Sequence, residues 1–501
     1  MRQILPLLLA LCAICLARAD VSLAPLFQDR MVLQRDRPVP IWGRADAGEK
    51  VTVAFGKQEV SATTPDDGRW IVYLDALETQ STPAELVVTG KNKLTAVGVV
   101  VGEVWLASGQ SNMEWPLKAV DRAADEVAAA NFPLIRVFKV ARAVSEVPTD
   151  AMKGEWKLAT PAFAGDFTAV GYFFARDVHR KVGVPVGIVD SSWGGTQIES
   201  WMSPAALASD PAFAIVGERW KKTLEDFPDR KVAYDASLAA WTAEEAAAKT
   251  AGQPFRKGKP VAPRTVGDRD TPAGLFNGMI NPVLPYAMRG ALWYQGESNA
   301  PRANEYRPLF AATIAFWRAH FGQGDFPFYW VQLANFKSDN PDGTSWALLR
   351  EAQSLTLSLP ETGQAVTIDI GNVDDIHPRN KQDVGRRLAA IAKAQVYRIP
   401  GDYSGPVFLS AEREKNALRV RFAHAVTGLI ARDRPLQSFE VAGSDRVFRP
   451  ARASIDGDTL LVSAPDVKEP VAVRYAWRNA PVVNLYNGAG LPAGPFRSDN
   501  W

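Results

Sequence analysis

Short runs of alternating hydrophobic and polar residues fill the first and last parts of the chain. This period of two, interrupted by turn residues such as Pro65-Asp66-Asp67-Gly68, predicts β-strands. In residues 20–100 the predicted strands are 31–34, 39–45, 50–55, 69–74, 85–89 and 94–101. In residues 401–501 they are 407–411, 418–423, 438–441, 460–463 and 471–477. We expect a small β-sandwich at each end of the chain.

Between residues 101 and 400 the pattern changes to apolar runs that alternate with amphipathic segments of helical period. The predicted strands are 104–107, 134–140, 185–189, 290–294, 328–333 and 365–370, and the predicted helices are 118–130, 167–181, 304–320, 346–357 and 380–394. This alternation predicts a three-layer α/β domain with a mostly parallel sheet, in which ligands bind beyond the carboxyl ends of the strands. Residues 204–275 interrupt it. They begin with a helix predicted at 237–250 and continue as a loop at 253–272, so we interpret them as an insertion that shapes the cleft.

Residues 1–19 have the features of a signal peptide: Arg2, an apolar run at 4–16, and Ala17-Arg18-Ala19 as the cleavage site. The run is too short for a transmembrane helix, so we expect a periplasmic or secreted protein without a membrane anchor. Cleavage after Ala19 would lower the formal net charge from +2 to 0. It would also remove both cysteines, Cys12 and Cys15, so the mature chain must be stable without disulfides.

The composition is that of an ordinary globular protein, with 47% hydrophobic and 22% charged residues. The near-neutral balance of charge gives no indication of a nucleic-acid surface. The sequence leaves the oligomeric state open.

The first candidate for chemistry is Ser111, in the segment Gly109-Gln110-Ser111-Asn112-Met113. The segment follows a predicted strand and precedes a predicted helix. A serine at such a turn lies near the free N–H groups of the helix start, which can stabilise an oxyanion. Serine is also favoured as an N-cap or turn residue, so partners elsewhere must decide its role.

The second candidate is His377, one of four histidines. It lies in Asp374-Asp375-Ile376-His377-Pro378, a loop expected to follow the strand at 365–370. A carboxylate within three residues can hold Nδ1 while Nε2 faces the serine, the arrangement of a general base. A solvated histidine in a helix-capping loop is the alternative. The other histidines lie near helix or strand ends, where no catalytic role is indicated: His179, His320 and His424.

Two further segments are candidates for oxyanion donors. Paired glycines, Gly194 and Gly195, follow a predicted strand and allow a close approach of the backbone to a ligand. Asn299 follows the predicted strand 290–294 and carries a side-chain N–H donor. Taken singly, each segment is equally typical of a turn.

The order of these four blocks resembles that of the SGNH hydrolases, and within them the sialate O-acetylesterases and their acetyl-polysaccharide-esterase relatives. The resemblance covers nearly the whole mature chain and includes residues 27–34, 275–280, 485–487, 490–492 and 495–497. It implies a flavodoxin-like α/β/α catalytic domain at 101–400 with flanking β-sandwiches.

The same resemblance implies a role for each block. It implies Ser111 as the nucleophile and His377 as the base. It implies the backbone N–H of Ser111, a glycine of Gly194-Gly195 and Asn299 as oxyanion donors. The acid stays open, because the superfamily pattern points slightly to Asp374, relatives often carry only the position of Asp375, and some members use Ser and His alone.

The implied reaction is removal of acetyl esters from sugar hydroxyls, on sialic acid or on plant hemicellulose such as xylan or xyloglucan, without metal or cofactor. The alternative from another class is a non-catalytic carbohydrate-binding protein on the same fold, against which the intact Ser-His pair argues. The predicted mature chain contains no metal-binding motif such as HExxH or CxxC, and no spacing suggests a glycosidase carboxylate pair. Polar candidates for sugar binding or loop orientation are Gln110, Glu199 and Glu297, and aromatic candidates, which could equally fill the core, are Trp115, Trp193, Trp201 and Tyr294.

Overall fold

The computed structural model describes residues 20–501. The predicted signal peptide, its cleavage site and both cysteines lie outside the described residues. Within residues 20–501, no helix combines the length and the apolar character that a membrane crossing requires.

The first part of the chain consists of strands in which buried and exposed residues alternate. In Arg69–Leu74, for example, Trp70, Val72 and Leu74 are buried while the residues between them are exposed. The strands are β1 Ser22–Leu23, β2 Val32–Gln34, β3 Val39–Arg44, β4 Lys50–Phe55, β5 Gln58–Thr63, β6 Arg69–Leu74, β7 Gln80–Thr89 and β8 Lys93–Gly109. Strands β1, β3 and β6 form a three-stranded sheet. In the other sheet β5 pairs with β4, β4 with β7, and β7 with β8. Strand β5, which was not predicted, is a polar edge strand.

Strand β8 is 17 residues long and crosses the domain boundary expected at residue 100. Its first half pairs antiparallel with β7, and its second half lies inside a parallel sheet. Alternating burial gives way to continuous burial from Val99 onward, because the second half is covered on both faces. The sequence predicted two separate strands here, at 94–101 and 104–107. The structure instead has one continuous strand, which runs from the first part of the chain to the turn before Ser111.

The central part of the chain is a mixed α/β unit. Its further strands are β9 Phe132–Lys139, β10 Trp156–Ala159, β11 Val186–Ser192, β12 Gly290–Tyr294, β13 Phe328–Val331 and β14 Thr362–Ala365. The strand order is β10-β9-β11-β8-β12-β13-β14, and every pair is parallel except β10 with β9. The helices are α1 Ser111–Glu114, α2 Ala123–Ala128, α3 Ala169–Val182, α4 Ile198–Trp201, α5 Pro204–Leu207, α6 Ala214–Glu225, α7 Phe227–Thr250, α8 Ala303–Phe321, α9 Ser345–Leu355 and α10 Lys381–Gln395.

Helices cover both faces of the parallel strands. On one face Trp105 of β8 packs against Phe174 of α3, with ring centroids 4.9 Å apart. On the other face Trp293 of β12 packs edge-on against Trp317 of α8 at 5.6 Å. The strands are therefore buried on both sides, and the carboxyl ends of β8, β11 and β12 open on one edge.

Four predicted helices correspond to α3, α8, α9 and α10 within two residues at each end. The helix predicted at 118–130 is interrupted: a 3-10 turn at Leu117–Ala119 precedes α2, and Arg122 between them has a left-handed backbone with φ 54°. The strand predicted at 365–370 is also wrong in position, since β14 ends at Ala365. The apolar residues that follow belong to another core, where Ile368 is buried among the strands of the last part of the chain.

The last part of the chain is all β, with its own hydrophobic core. Its strands are β15 Val407–Glu414, β16 Ala417–Ala423, β17 Leu429–Ala431, β18 Phe439–Ala442, β19 Arg449–Asp456, β20 Thr459–Ser463, β21 Ala472–Tyr475, β22 Leu485–Asn487 and β23 Phe496–Arg497. They form a seven-stranded sheet and a two-stranded ribbon of β17 and β22. The polar strand β19 was not predicted. It pairs with β18 through its first residues and with β20 through its last, so it links the two halves of the sheet.

Candidate active site

Ser111 is the first residue of α1 and follows β8 after a sharp turn. The turn depends on Gly109, whose φ of 133° favours glycine and whose Cα lies so near the Tyr294 carbonyl that a Cβ would collide with it. His377 Nε2 lies 2.9 Å from Ser111 Oγ. When Nε2 accepts the serine proton, Nδ1 carries the ring proton, so the pair has the geometry of a nucleophile and its general base.

The ring of His377 is held against Trp115. The two rings are stacked, with centroids 4.9 Å apart and planes 17° from parallel. The pKa of His377 is lowered, first by burial and then by the nearby Lys381 cation, while Asp375 opposes the shift. The imidazole is therefore neutral at neutral pH, which a proton acceptor requires.

The two candidate carboxylates have different surroundings. The Asp374 side chain is 78% exposed and pairs with Lys337 at 2.7 Å. Asp375 Oδ1 lies 3.7 Å from His377 Nδ1 and accepts the backbone N–H of His377 at 2.9 Å. The slight preference for Asp374 is thus reversed, because Asp375 is the carboxylate beside the ring. At 3.7 Å it attracts the ring without a hydrogen bond to Nδ1.

Gly194 is packed against the serine: a Cβ at this position would lie 3.2 Å from Ser111 Cβ. Its N–H donates to Glu114 Oε2 at 2.9 Å, however, and Glu114 is paired with Arg142. The N–H of Gly194, a predicted oxyanion donor, is therefore occupied by a carboxylate in this structure. Glu114 was not predicted as a site residue, although its place in the first turn of the helix after Ser111 was a usable signal.

Asn299 is buried in a network of hydrogen bonds. Its Oδ1 accepts from Gln295 Nε2 at 2.7 Å and from the Ile198 N–H at 3.0 Å, and its Nδ2 donates to Glu199 at 2.9 Å. One of the two amide hydrogens is used by Glu199, so the second is the one that remains for an oxyanion.

The polar sugar-binding candidates connect the loops of the site to each other. Gln110 Oε1 accepts the N–H groups of Gly296 (3.3 Å) and Ser298 (3.4 Å). Glu297 accepts from Asn112 at 2.6 Å, and Glu199 accepts from Asn299. All three side chains are buried. Their position favours loop orientation over contact with a sugar.

The aromatic candidates divide into two pairs. Trp201 and Tyr294 are fully buried and fill the core. Trp115 and Trp193 are partly exposed. The Trp193 ring also contacts the Arg142 guanidinium, 5.5 Å from its centroid. Of the four, Trp115 and Trp193 are the rings that an incoming sugar can reach.

The insertion reaches the site through Arg269. A Cβ on Gly195 would lie 2.7 Å from Arg269 Nη2, so the guanidinium lies directly against the second glycine. Within residues 20–501, Arg269 forms no ion pair. An open groove of about 510 Å³ has Glu114 and Arg142 among its lining residues.

The other three histidines lie elsewhere. His179 contacts the carbonyl of Val184, His320 packs on Phe276, and His424 packs on Tyr403. In the part of the chain that the structure describes, no group of three or more His, Cys, Asp or Glu side chains is arranged to hold a metal ion.

The chain is similar to known carbohydrate esterases. A family model described as "Carbohydrate esterase, sialic acid-specific acetylesterase" matches residues 274–394. The sialate O-acetylesterase of Rattus norvegicus is 29% identical, over 94% of this chain and 93% of its own. That of Homo sapiens is 26% identical, over 94% of this chain and 91% of its own. The crystal structure of a carbohydrate acetylesterase from Xanthomonas citri is 41% identical, covers 96% of this chain and 100% of its own, and has a TM-score of 0.82.

We expect activity to fall on acidification with a midpoint below 6.5, because the lowered pKa of His377 keeps the ring neutral down to that range. The measurement is kcat/KM for an acetyl ester across acidic pH, under conditions in which chemistry limits the rate. A midpoint above 6.5 would contradict a buried histidine next to a lysine cation.

Replacing Asp375 by Asn should lower kcat by more than about 10-fold, but by less than the roughly 10⁴-fold cost of removing a fully hydrogen-bonded triad carboxylate. The acid limb should also move to lower pH, because Asp375 raises the pKa of His377. Asp374→Asn is the matched control and should behave like the wild type. Equal losses of kcat in Asp375→Asn and Asp374→Asn would contradict a specific role of Asp375 beside the His377 ring.

Asn299→Ala should lower kcat by roughly 100- to 1,000-fold with a much smaller change in KM, because an oxyanion donor acts in the transition state. Asn299→Asp should be worse, since a carboxylate repels the oxyanion. Thermal stability is measured in parallel. A destabilised Asn299→Ala protein with normal kcat would show that the amide only holds its loop to Glu199.

Proposed function

The chain belongs to the sialate O-acetylesterase-like family of carbohydrate esterases, and we propose that it removes acetyl groups from sugar hydroxyls through an acetyl-enzyme on Ser111. The observation that carries the proposal is the 2.9 Å contact between Ser111 Oγ and His377 Nε2. We further propose that the central α/β unit is an SGNH hydrolase domain with a β-rich domain on either side. The parallel strands between helix layers, with the serine at the carboxyl end of β8, support this assignment.

In the first step Ser111 Oγ attacks the carbonyl carbon of the acetyl ester while His377 Nε2 takes the hydroxyl proton. The tetrahedral oxyanion is stabilised by N–H donors, for which the first N–H of α1, the Gly194-Gly195 turn and Asn299 are the candidates. Collapse breaks the bond to the sugar oxygen, which receives the proton from His377. Water activated by the same histidine then cleaves the acetyl-enzyme and releases acetate.

The acetylated sugar is the open part of the proposal, with sialic acid and plant hemicellulose as the two candidates. Trp115 and Trp193 offer faces on which either kind of sugar can stack. Arg269 next to Gly195 favours a sugar with a carboxylate, since a guanidinium without a partner in residues 20–501 is available to bind one. Acetate release from acetylated sialic acid, xylan and xyloglucan ranks the candidates directly.

The alternative is a carbohydrate-binding protein that keeps the fold without catalysis. Such a protein would be expected to hold the serine and the histidine apart, or to have a histidine that is charged at neutral pH. Contact between the two side chains and the lowered pKa of His377 favour the enzyme. We also propose that the protein is exported, on the basis of the signal peptide predicted at residues 1–19.

Ser111→Ala should abolish hydrolysis of p-nitrophenyl acetate while the fold is retained, because loss of a nucleophile commonly costs several orders of magnitude in kcat. Fluorophosphonate labelling of the wild type, followed by peptide mapping, should modify Ser111. A neighbouring buried serine, Ser108, provides the matched control, since Ser108→Ala should keep the label and the activity. Activity that survives Ser111→Ala would overturn the mechanism.

A further inference from the structure

Three polar side chains form a cluster next to the catalytic pair: Asn112, Glu297 and Lys381. Asn112 Nδ2 donates to Glu297 Oε1 at 2.6 Å and to the carbonyl of Ile376 at 3.0 Å. Asn112 Oδ1 accepts from Lys381 Nζ at 2.5 Å. Both amide hydrogens and the amide oxygen are thus used, and the residue is only 1% exposed.

Lys381 extends the cluster to the other side of the histidine. Its Nζ also donates to the carbonyl of Pro378 at 2.7 Å. Ile376 and Pro378 are the two chain neighbours of His377, so the cluster holds a carbonyl on each side of that residue. Because Asn112 directly follows Ser111, the same cluster ties the base to the nucleophile.

Placing a lysine at position 381 costs free energy of folding, which a purely structural role does not explain. The side chain is fully buried at the first residue of α10, where a cation opposes the helix dipole. Burial lowers the pKa of Lys381 to about 7. Burying a charged ammonium costs free energy, so stability alone does not account for a lysine here.

Asp375, the carboxylate beside His377, does not by itself fix the orientation of the ring. Asp375 lies 3.7 Å from Nδ1, too far for a hydrogen bond that would orient the ring. The stacked Trp115 limits the tilt of the ring, and it also borders the Lys381 ammonium, whose Nζ lies 5.8 Å from its centroid. The position of the loop then depends on the carbonyls flanking His377.

We propose that Lys381 is a positioning residue, which together with Asn112 holds the loop of His377 so that Nε2 meets Ser111 Oγ, and which places a positive charge beside the imidazole. The inference rests on the proposed function, since it assigns the cluster a part in serine esterase chemistry. A fixed loop matters because a displacement of about 1 Å between reacting groups can cost roughly 100-fold in rate.

The charges around Lys381 define the expected pH effect. Glu297, Asp375 and Asp121 face the ammonium and favour its charged form, while the Lys381 cation disfavours protonation of His377. Removing the cation should therefore raise the pKa of His377. Loosened packing would also raise this pKa, because burial is the first cause that lowers it. Asn112→Ala, which frees the loop but keeps the lysine, therefore serves as the reference for that effect.

The test compares Lys381→Met with Lys393→Met. Lys393 lies on the same helix and pairs with Asp177 at 2.6 Å, so its replacement is a matched loss of a paired lysine away from the site. For Lys381→Met we expect kcat to fall about 100-fold with little change in KM, and the acid limb of kcat/KM to move to higher pH. Lys393→Met should match the wild type in both. A folded Lys381→Met protein with kcat within about threefold of the wild type, or with an unmoved acid limb, overturns the proposal.

A titration that needs no turnover separates this inference from the proposed function. With four histidines in the chain, ¹³C-histidine NMR can follow His377, assigned by its loss in His377→Gln. Its pKa should be higher in Lys381→Met than in the wild type or Asn112→Ala, and an equal or lower pKa overturns the proposal even if no esterase activity is found. If Lys381→Met does not fold, Asn112→Ala keeps the lysine but removes the bridge to Ile376. It should lower kcat at least 10-fold, and unchanged kcat would again overturn the proposal.

Discussion

The parallel pairing of β8 with β11 and β12 is the constraint on which the site depends. In this register Ser108 lies beside Ser191 on one side and beside Trp293 on the other. All three strands therefore end at the same level, and the loops that carry Ser111, Gly194 and Asn299 leave from one row. A shift of one residue in either pair would move a loop by about 3.3 Å and turn its side chains to the opposite face. Such a shift would separate Ser111, Gly194 and Asn299 from one another.

Buried polar side chains convert this common edge into a defined geometry. Gln110 binds the N–H groups of the loop after β12, and Asn112 binds both Glu297 and the loop of His377. A buried donor or acceptor without a partner costs about 1–3 kcal/mol, so loop movements that break these bonds are disfavoured. The same residues could have been taken for sugar ligands. The structure gives them partners within the protein, so the residues proposed for sugar contact are the more exposed Trp115 and Trp193, together with Arg269 of the insertion.

Electrostatics around His377 show how the site balances opposite requirements. Burial and Lys381 favour the neutral ring from which the proposed reaction starts, whereas Asp375 favours the imidazolium that the proposed reaction forms. Side chains of Asn112 and Lys381 donate to carbonyls of the His377 loop. Asp375 influences the charge of the ring from 3.7 Å, without a hydrogen bond to Nδ1. Glu114 imposes a further condition, because its carboxylate occupies the N–H of Gly194. An oxyanion at that N–H would have to replace Glu114, while the first N–H of α1 needs no such exchange.

The sequence by itself determined the local features of this protein. Local patterns report the helical period of α3, α8, α9 and α10, the apolar parallel strands, and the position of Ser111 between a strand and a helix. These features depend on neighbouring residues. Only the tertiary structure decided what depends on distant partners. It joined two predicted strands into β8 and placed Asp375, rather than Asp374, beside His377. It also brought Glu114 to the Gly194 N–H and Lys381 to Asn112, a residue 269 positions away in the chain. The physical reason is that a hydrogen bond is set by distance and direction in space, and a carboxylate or a lysine has the same sequence pattern whether it faces solvent or a buried partner.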